Sequence, residues 1–277
     1  MSQRRAPRAD SGADPLTPDT VTAMAERIVS AVQPLQIILF GSQARGDTHR
    51  WSDVDLLVVI ADTEDKERVW DQIRAALGGS GAPYDLVVAT ADEVRRRGDL
   101  VGTVLRPALR EGKVLYDAAA PAEWGRAPWP VTLEVDPVSE EDRLEQTRLW
   151  IRQARTDLGM ADMVLASGQM DPDPACYHAQ QAAEKALKAV LIFLQVQYPF
   201  THDLDAIREQ IPRGWGVREE FRNLKKLSDW SFKARYPGGW ALPTRADATE
   251  ATRLARAIYE SVLRDLSAHG FPREEDR

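Results

Sequence analysis

The sequence predicts two folds in one chain: an α/β domain with a small mixed sheet, then an all-α antiparallel helical bundle. Three observations carry this. Short apolar runs of strand length alternate with helical periodicity up to about residue 117. Beyond Glu141 every periodic segment has the helical repeat. Between them, residues 118–140 hold prolines at 121, 128, 130 and 137 and read as a linker, with Trp124 and Trp129 expected to pin it to a domain surface. The expected organisation is a disordered tail over 1–16, the α/β domain over 17–117, the linker over 118–140, the bundle over 141–270, and a tail over 271–277. With 277 residues, either domain is large enough for its own core.

Residues 1–16 are rich in Arg, Ala and Asp and lack the apolar segment of a signal peptide. A helix should begin at Thr17, with Pro18 in its first turn, where a missing N–H breaks no bond. Val21, Met24, Ile28 and Val32 form its apolar stripe. Ile37–Phe40 and Leu56–Ile60 read as buried strands, being short, apolar and rich in β-branched residues. Glu64–Leu77 reads as a helix closed by Gly78-Gly79, Asp85–Ala89 as a third strand, and 91–110 as helix interrupted near Gly98 and Gly102. Lys113–Tyr116 is a short last strand.

The stretch between the first two strands holds the chemistry. It runs Gly41-Ser42-Gln43-Ala44-Arg45, continues through His49, and ends Asp53-Val54-Asp55. Gly-Ser permits a tight turn whose backbone N–H groups face an anion. Side chains two apart on a strand share a face, so Asp53 and Asp55 aim at one spot. Paired carboxylates repel unless a cation lies between them, and Mg²⁺ suits all-oxygen ligation. Arg45 is placed to reach phosphate bidentately, or else pairs with Asp47 or Asp53. His49 has no histidine or cysteine beside it to make a zinc site.

Hydrophobic residues make up 43% and charged residues 29%, the balance of a soluble globular protein. The net charge of −7 argues against broad, nonspecific nucleic-acid binding. The single cysteine, Cys176, excludes an internal disulfide and reads as a small core residue. No apolar run is long enough to span a bilayer, so the expected location is the cytoplasm, with no membrane association.

In the second half, 144–166 reads as one long helix ending at Ser167-Gly168. The next should be capped by Asp173, with Pro174 in its first turn, and run to about Gln195. On it Ala179, Ala182, Ala183 and Ala186 let another helix approach closely, within one bundle or across a homodimer. A shorter helix opens at His202-Asp203-Leu204, another spans 217–235 up to Tyr236-Pro237, and the last spans about 246–267.

Gly-Ser, ten intervening residues, then Asp-x-Asp between hydrophobic strands resembles the nucleotidyltransferase signature of the DNA polymerase β superfamily. Gly-Ser-x-Ala-Arg-Gly with Ser-Asp-x-Asp-Leu is similar to its minimal nucleotidyltransferases. The resemblance implies a third carboxylate, for which Asp85 is the candidate. It implies Gly41, Ser42 and Arg45 as the nucleotide-binding residues, and two Mg²⁺ ions held by Asp53, Asp55 and Asp85. The implied reaction transfers a nucleoside monophosphate, AMP from ATP or its counterpart from another nucleoside triphosphate. The acceptor is a hydroxyl of a protein tyrosine, an RNA end or a small molecule.

Tyr177-His178-Ala179-Gln180-Gln181-Ala182-Ala183-Glu184-Lys185, then Thr201-His202-Asp203-Leu204 and Ala234-Arg235-Tyr236-Pro237, resemble HEPN domains, helical bundles often dimeric and found beside minimal nucleotidyltransferases. Many are ribonucleases using Arg-x4–6-His. Arg264 to His269 matches that spacing formally, while Ser228 stands where histidine should follow Arg222-Asn223. An alternative function follows: a toxin–antitoxin-like or RNA-binding regulator whose bundle acts on RNA and whose first domain controls it.

Possible RNA or ligand contacts are His178, Lys185 and His202, and the segment 221–240 with Lys225, Lys226, Arg235 and Tyr236. There, cations interleave with Trp230, Phe232 and Trp240, which suits phosphates and stacked bases. Against this stands the bland reading of each: a solvated or dimer-facing polar stripe on the helix of His178, and a charged helix face over buried aromatics at 221–240.

Overall fold

The structure is a computed structural model. It describes residues 18–46, 53–79, 82–120, 129–130, 133–234 and 239–272, with backbone alone at Pro18 and 129–130. The two expected tails fall outside these residues except at Phe271 and Pro272, as do Asp47, His49, Trp124, Arg235 and Tyr236. Contacts divide the chain into two compact units. One comprises Met1–Gly98 with Val104–Asp136, the other Asp99–Thr103 with Pro137–Arg277.

The first unit carries helices α1 (Pro18–Val32), α2 (Gly41–Arg45), α3 (Lys66–Leu77), α4 (Ala91–Arg97) and α5 (Leu105–Glu111). Its strands are β1 (Gln36–Phe40), β2 (Val54–Ile60), β3 (Tyr84–Thr90), β4 (Lys113–Asp117) and β5 (Trp129–Pro130). They form one mixed sheet in the order β3-β2-β1-β4-β5. β1 runs antiparallel to β2 and β4, while β2 and β3 are parallel. β5 lies within the expected linker and pairs with β4.

Alternation explains why β1 and β2 are apolar throughout. Ile37 and Leu39 join Leu56, Val58 and Ile60 in a core with α1 and α3. Ile38 and Phe40 join Leu57 and Val59 in a second core with α4 and α5. A strand covered on both faces has no solvent side to make polar. Ile37, Ile38 and Leu56 are fully buried, and each contributes about 1.5–3 kcal/mol. The flanking helices start at side-chain caps. Asp65 accepts from the backbone of Glu67 and Arg68, so α3 begins at Lys66 rather than Glu64. Thr90 and Glu93 form a capping box on α4.

The second unit is helical. Its long helices are α6 (Glu140–Ser167), α7 (Asp173–Phe193) and α12 (Arg245–Ala268). Short ones complete it: α8 (Leu204–Glu209), α9 (Gly216–Glu220), α10 (Lys225–Ser228) and α11 (Trp230–Lys233). Ser139 caps α6 and Gly168 ends it in the left-handed region. Asp173 does not cap α7: it is the first helical residue, and Pro172 takes the cap position with no side-chain bond.

One choice left open is decided and one further expectation is corrected. The alanine stripe of α7 is consumed inside one bundle. Ala179, Ala182, Ala183 and Ala186 are fully buried in the core with Ala154, Leu158 and Ala161 of α6 and Ala251, Ala255 and Ile258 of α12. Small side chains admit both neighbours closely, so this face is not open to a second copy. The helix expected over 217–235 is three short pieces. Asp205 Oδ2 accepts from Leu224 N at 2.9 Å and Asn223 Oδ1 from Lys225 N at 3.2 Å, while Arg208 donates to the Phe221 carbonyl. These side chains take the groups a continuous helix would have paired internally.

Candidate active site

The signature folds as a turn of helix rather than a loop. Phe40 ends β1, Gly41 takes φ +68°, and α2 follows at once. Ala44 is the buried residue of α2, while Gly41 and Ser42 stay partly accessible. A Cβ built on Gly41 would lie 2.0 Å from Asp55 Oδ2. Glycine is thus required twice, for its backbone angle and for the approach of the carboxylate.

Three carboxylates gather beside it. Asp55 pairs across the sheet with Phe40 on one side and with Asp85 on the other. By alternation Asp55 shares the face of Leu57 and Val59, and Asp85 that of Val87 and Ala89, both turned toward the α4/α5 core. Asp53, one residue before β2, is exposed, as is Asp85, while Asp55 is half-buried. Burial, then the charges of Asp85 and Asp53, push the Asp55 carboxyl above the ordinary carboxylate range, and Arg45 pulls the other way. Parallel pairing thus brings residues 30 apart in the chain into one register position.

As they stand, no three carboxylate, imidazole or thiol groups among the described residues converge closely enough to hold a metal ion. The donor set nevertheless fits a hard divalent cation. It is all oxygen, and burial with the charges of Asp85 and Asp53 disfavours the ionised form of Asp55, as happens when a counter-charge is missing. Arg45 pairs with Glu111 of α5 at 3.1 Å, both side chains about two-fifths exposed. Glu111 went unnoticed in the sequence, because only the packing of α5 against α2 makes it a neighbour.

In the helical unit the expected contact residues separate. His178 Nδ1 lies 2.8 Å from Asp157 Oδ1, and Lys185 Nζ 2.5 Å from Asp157 Oδ2. The stripe on α7 is therefore tied to a carboxylate on α6, not left to solvent. One turn on, Glu184 is 5% exposed. It accepts from Lys188 at 2.6 Å and Gln180 at 2.8 Å, and lies 3.0 Å from His202 Nδ1. Glu184 stood in the run that resembles HEPN domains without a role assigned to it, and Asp157 carried no sequence signal, since a helix's partner face is invisible in one dimension.

His202 and Lys225 line a groove of about 520 Å³ with Ser228, Phe232 and Lys233. Lys226 is paired instead with Asp247 at 3.0 Å. Trp230 is buried and Phe232 is 55% exposed. His269 stacks on Trp215 with ring centroids 4.0 Å apart, and Arg264 pairs with Glu220 at 3.3 Å. The formal Arg-x4-His match thus engages two structural partners.

Comparison with known proteins agrees with this architecture. Residues 22–107 match the nucleotidyltransferase domain and residues 147–266 the HEPN domain. The chain is a nucleotidyltransferase domain fused to a HEPN domain. The solved structure of TT1696 from Thermus thermophilus is 31% identical, covering 44% of this chain and 98% of that one, with a TM-score of 0.38. No curated protein matches. Among the described residues no helix is long and apolar enough to cross a membrane.

Proposed function

We propose that this chain is a Mg²⁺-dependent nucleotidyltransferase moving a nucleoside monophosphate, AMP from ATP, to a hydroxyl acceptor. The observation behind the reading is the crowding of Asp55 by Asp85 and Asp53 beside Gly41. Asp53, Asp55 and Asp85 would hold two Mg²⁺ ions, which when bound neutralise triphosphate charge and acidify the acceptor hydroxyl. Gly41 and Ser42 bring backbone and hydroxyl donors to the triphosphate. Arg45 adds a guanidinium, and its exposed pair with Glu111 costs only about 0–1 kcal/mol to exchange for phosphate. Asp85, exposed and adjacent, takes the acceptor's proton.

The acceptor is a protein tyrosine, an RNA end or a small molecule, and the protein works as a cytoplasmic homodimer. Labelled ATP with Mg²⁺ tests the reaction. Label on protein, RNA or a small molecule, absent in Asp55→Asn, is the expected result; no transfer to any of the three overturns it. Sedimentation equilibrium checks the dimer.

A second reading rests on the groove beside Lys225. His202, Lys225 and Lys233 supply charge and Phe232 a stacking face, which suits single-stranded RNA. There the protein is a toxin–antitoxin-like regulator whose helical half binds RNA.

A further inference from the structure

Four arginines of the helical unit, Arg222 of the 221–240 segment among them, converge apart from the groove of Lys225. Arg208, Arg213, Arg218 and Arg222 line one open depression of about 690 Å³, completed by Glu209, Gln210 and Glu219. Four cations thus face two acids. Arg208 is 8% exposed. It donates to the Phe221 carbonyl, lies 3.4 Å from Asp205 and 3.5 Å from Glu209, and its Nε is buried without a hydrogen-bond partner. Arg218 donates to the Ile211 carbonyl, and Arg222 Nε reaches the Glu219 carbonyl at 3.4 Å. Neutral carbonyls orient these two guanidiniums without cancelling their charge. No ion pair to Arg213 is formed among the described residues.

Three arginines on α12 behave differently. Arg253 pairs with Glu250, Arg256 with Asp162 and Arg264 with Glu220. In the depression Arg208 alone has carboxylate partners, and Arg213, Arg218 and Arg222 form no ion pair among the described residues. Burying a guanidinium as deeply as Arg208 is unfavourable without anions, which Asp205 and Glu209 supply, so the charge left for a ligand is that of Arg213, Arg218 and Arg222. The planar fork of arginine matches phosphate oxygens two at a time. The lining holds no aromatic ring, so a ligand would be read by charge and not by a base.

We propose that this depression binds a ligand through two or more linked phosphates, with Arg213 and Arg222 as its exposed clamps and Arg208 as its buried floor. The proposal is independent of the transferase reading, because the carboxylate cluster repels phosphate until a cation is present.

Isothermal titration of the full chain with inorganic triphosphate, in EDTA, tests it. EDTA silences any metal-dependent nucleotide binding at Asp53, Asp55 and Asp85. Saturable binding is expected, weakened at least tenfold in Arg213→Gln/Arg222→Gln and unchanged in Asp53→Asn. Glu219→Gln, which removes an acid without touching a cation, should tighten it several-fold and serves if the double variant folds poorly. ATP and a single-stranded uridine oligonucleotide distinguish the sources. A nucleotide tail predicts ATP equal to triphosphate; a nucleic-acid backbone predicts the oligonucleotide at least tenfold tighter and displacing triphosphate. No binding of triphosphate at millimolar concentration, or equal binding by the arginine and Glu219 variants, overturns the proposal.

Discussion

Gly41 and Asp55 are in near-contact across the β1/β2 edge: a methyl on Gly41 would lie 2.0 Å from the Asp55 carboxylate. The first helical turn after β1 and the central acid of β2 therefore form one rigid unit. Gly41→Ala must both adopt φ +68° and push Asp55 aside. The backbone angle alone costs about 1–2 kcal/mol. The expected result is a lower melting temperature and loss of nucleotidyl transfer, whereas Ser42→Ala, which adds no bulk, keeps the melting temperature and weakens transfer alone.

Asp53→Asn and Asp55→Asn should each abolish Mg²⁺-dependent transfer with the fold intact. Asparagine keeps the volume and one carbonyl oxygen but not the charge that attracts a hard cation. Since burial and its two neighbours disfavour ionised Asp55, Asp55→Asn should also melt higher than the wild type in EDTA. Mg²⁺ with ATP should raise the wild-type melting temperature by mass action and leave either mutant unmoved. Thermal melts with and without Mg²⁺–ATP check all three statements.

Glu184 should make the bundle acid-labile. Burial pushes its carboxyl up, but Lys188, with His202 and Gln180, outweighs burial and holds it below its ordinary value of 4.5. A depressed carboxyl stabilises the fold above its unfolded value. That stability is lost as pH falls from about 4.5 through the folded value. Glu184→Gln leaves Lys188, with 12% side-chain exposure, without its ion pair and should cost about 3 kcal/mol. Circular dichroism melts at pH 7 and pH 4 should show a wild-type loss that the variant lacks. Replacing both partners by Met should recover most of the stability at pH 7.

His269 serves the bundle's packing. Its ring lies 9° from parallel with Trp215, and its Nδ1 is 2.8 Å from the Asp265 carbonyl at the end of α12. His269→Ala should cost about 1 kcal/mol and leave RNA handling unchanged. RNA cleavage by the wild type that disappears in this variant would reinstate the ribonuclease reading.

Much of the architecture was legible residue by residue. The apolar runs at 37–40 and 56–60 mark strands buried on two faces, whereas the exact helix starts, set by the caps Asp65, Thr90, Ser139 and Thr244, were not read from the sequence. Gly41-Ser42 and Asp53-x-Asp55 were legible for the same reason, because a turn and a strand place them within one short segment. The break at 221–224 was not. Arg208 and Asp205 claim its backbone from an earlier helix, and no local pattern encodes that competition.

Local chemistry therefore sets the element types, the two-part organisation and the acidic signature, since each depends on neighbours within about a turn or a strand pair. Packing sets the rest. Parallel register places Asp85 against Asp55, α6 and α12 close over the alanines of α7, and Asp157 reaches His178 and Lys185 across 21 and 28 residues. The physical reason is that which faces meet depends on a whole core being filled at once, and every long-range pair follows from that.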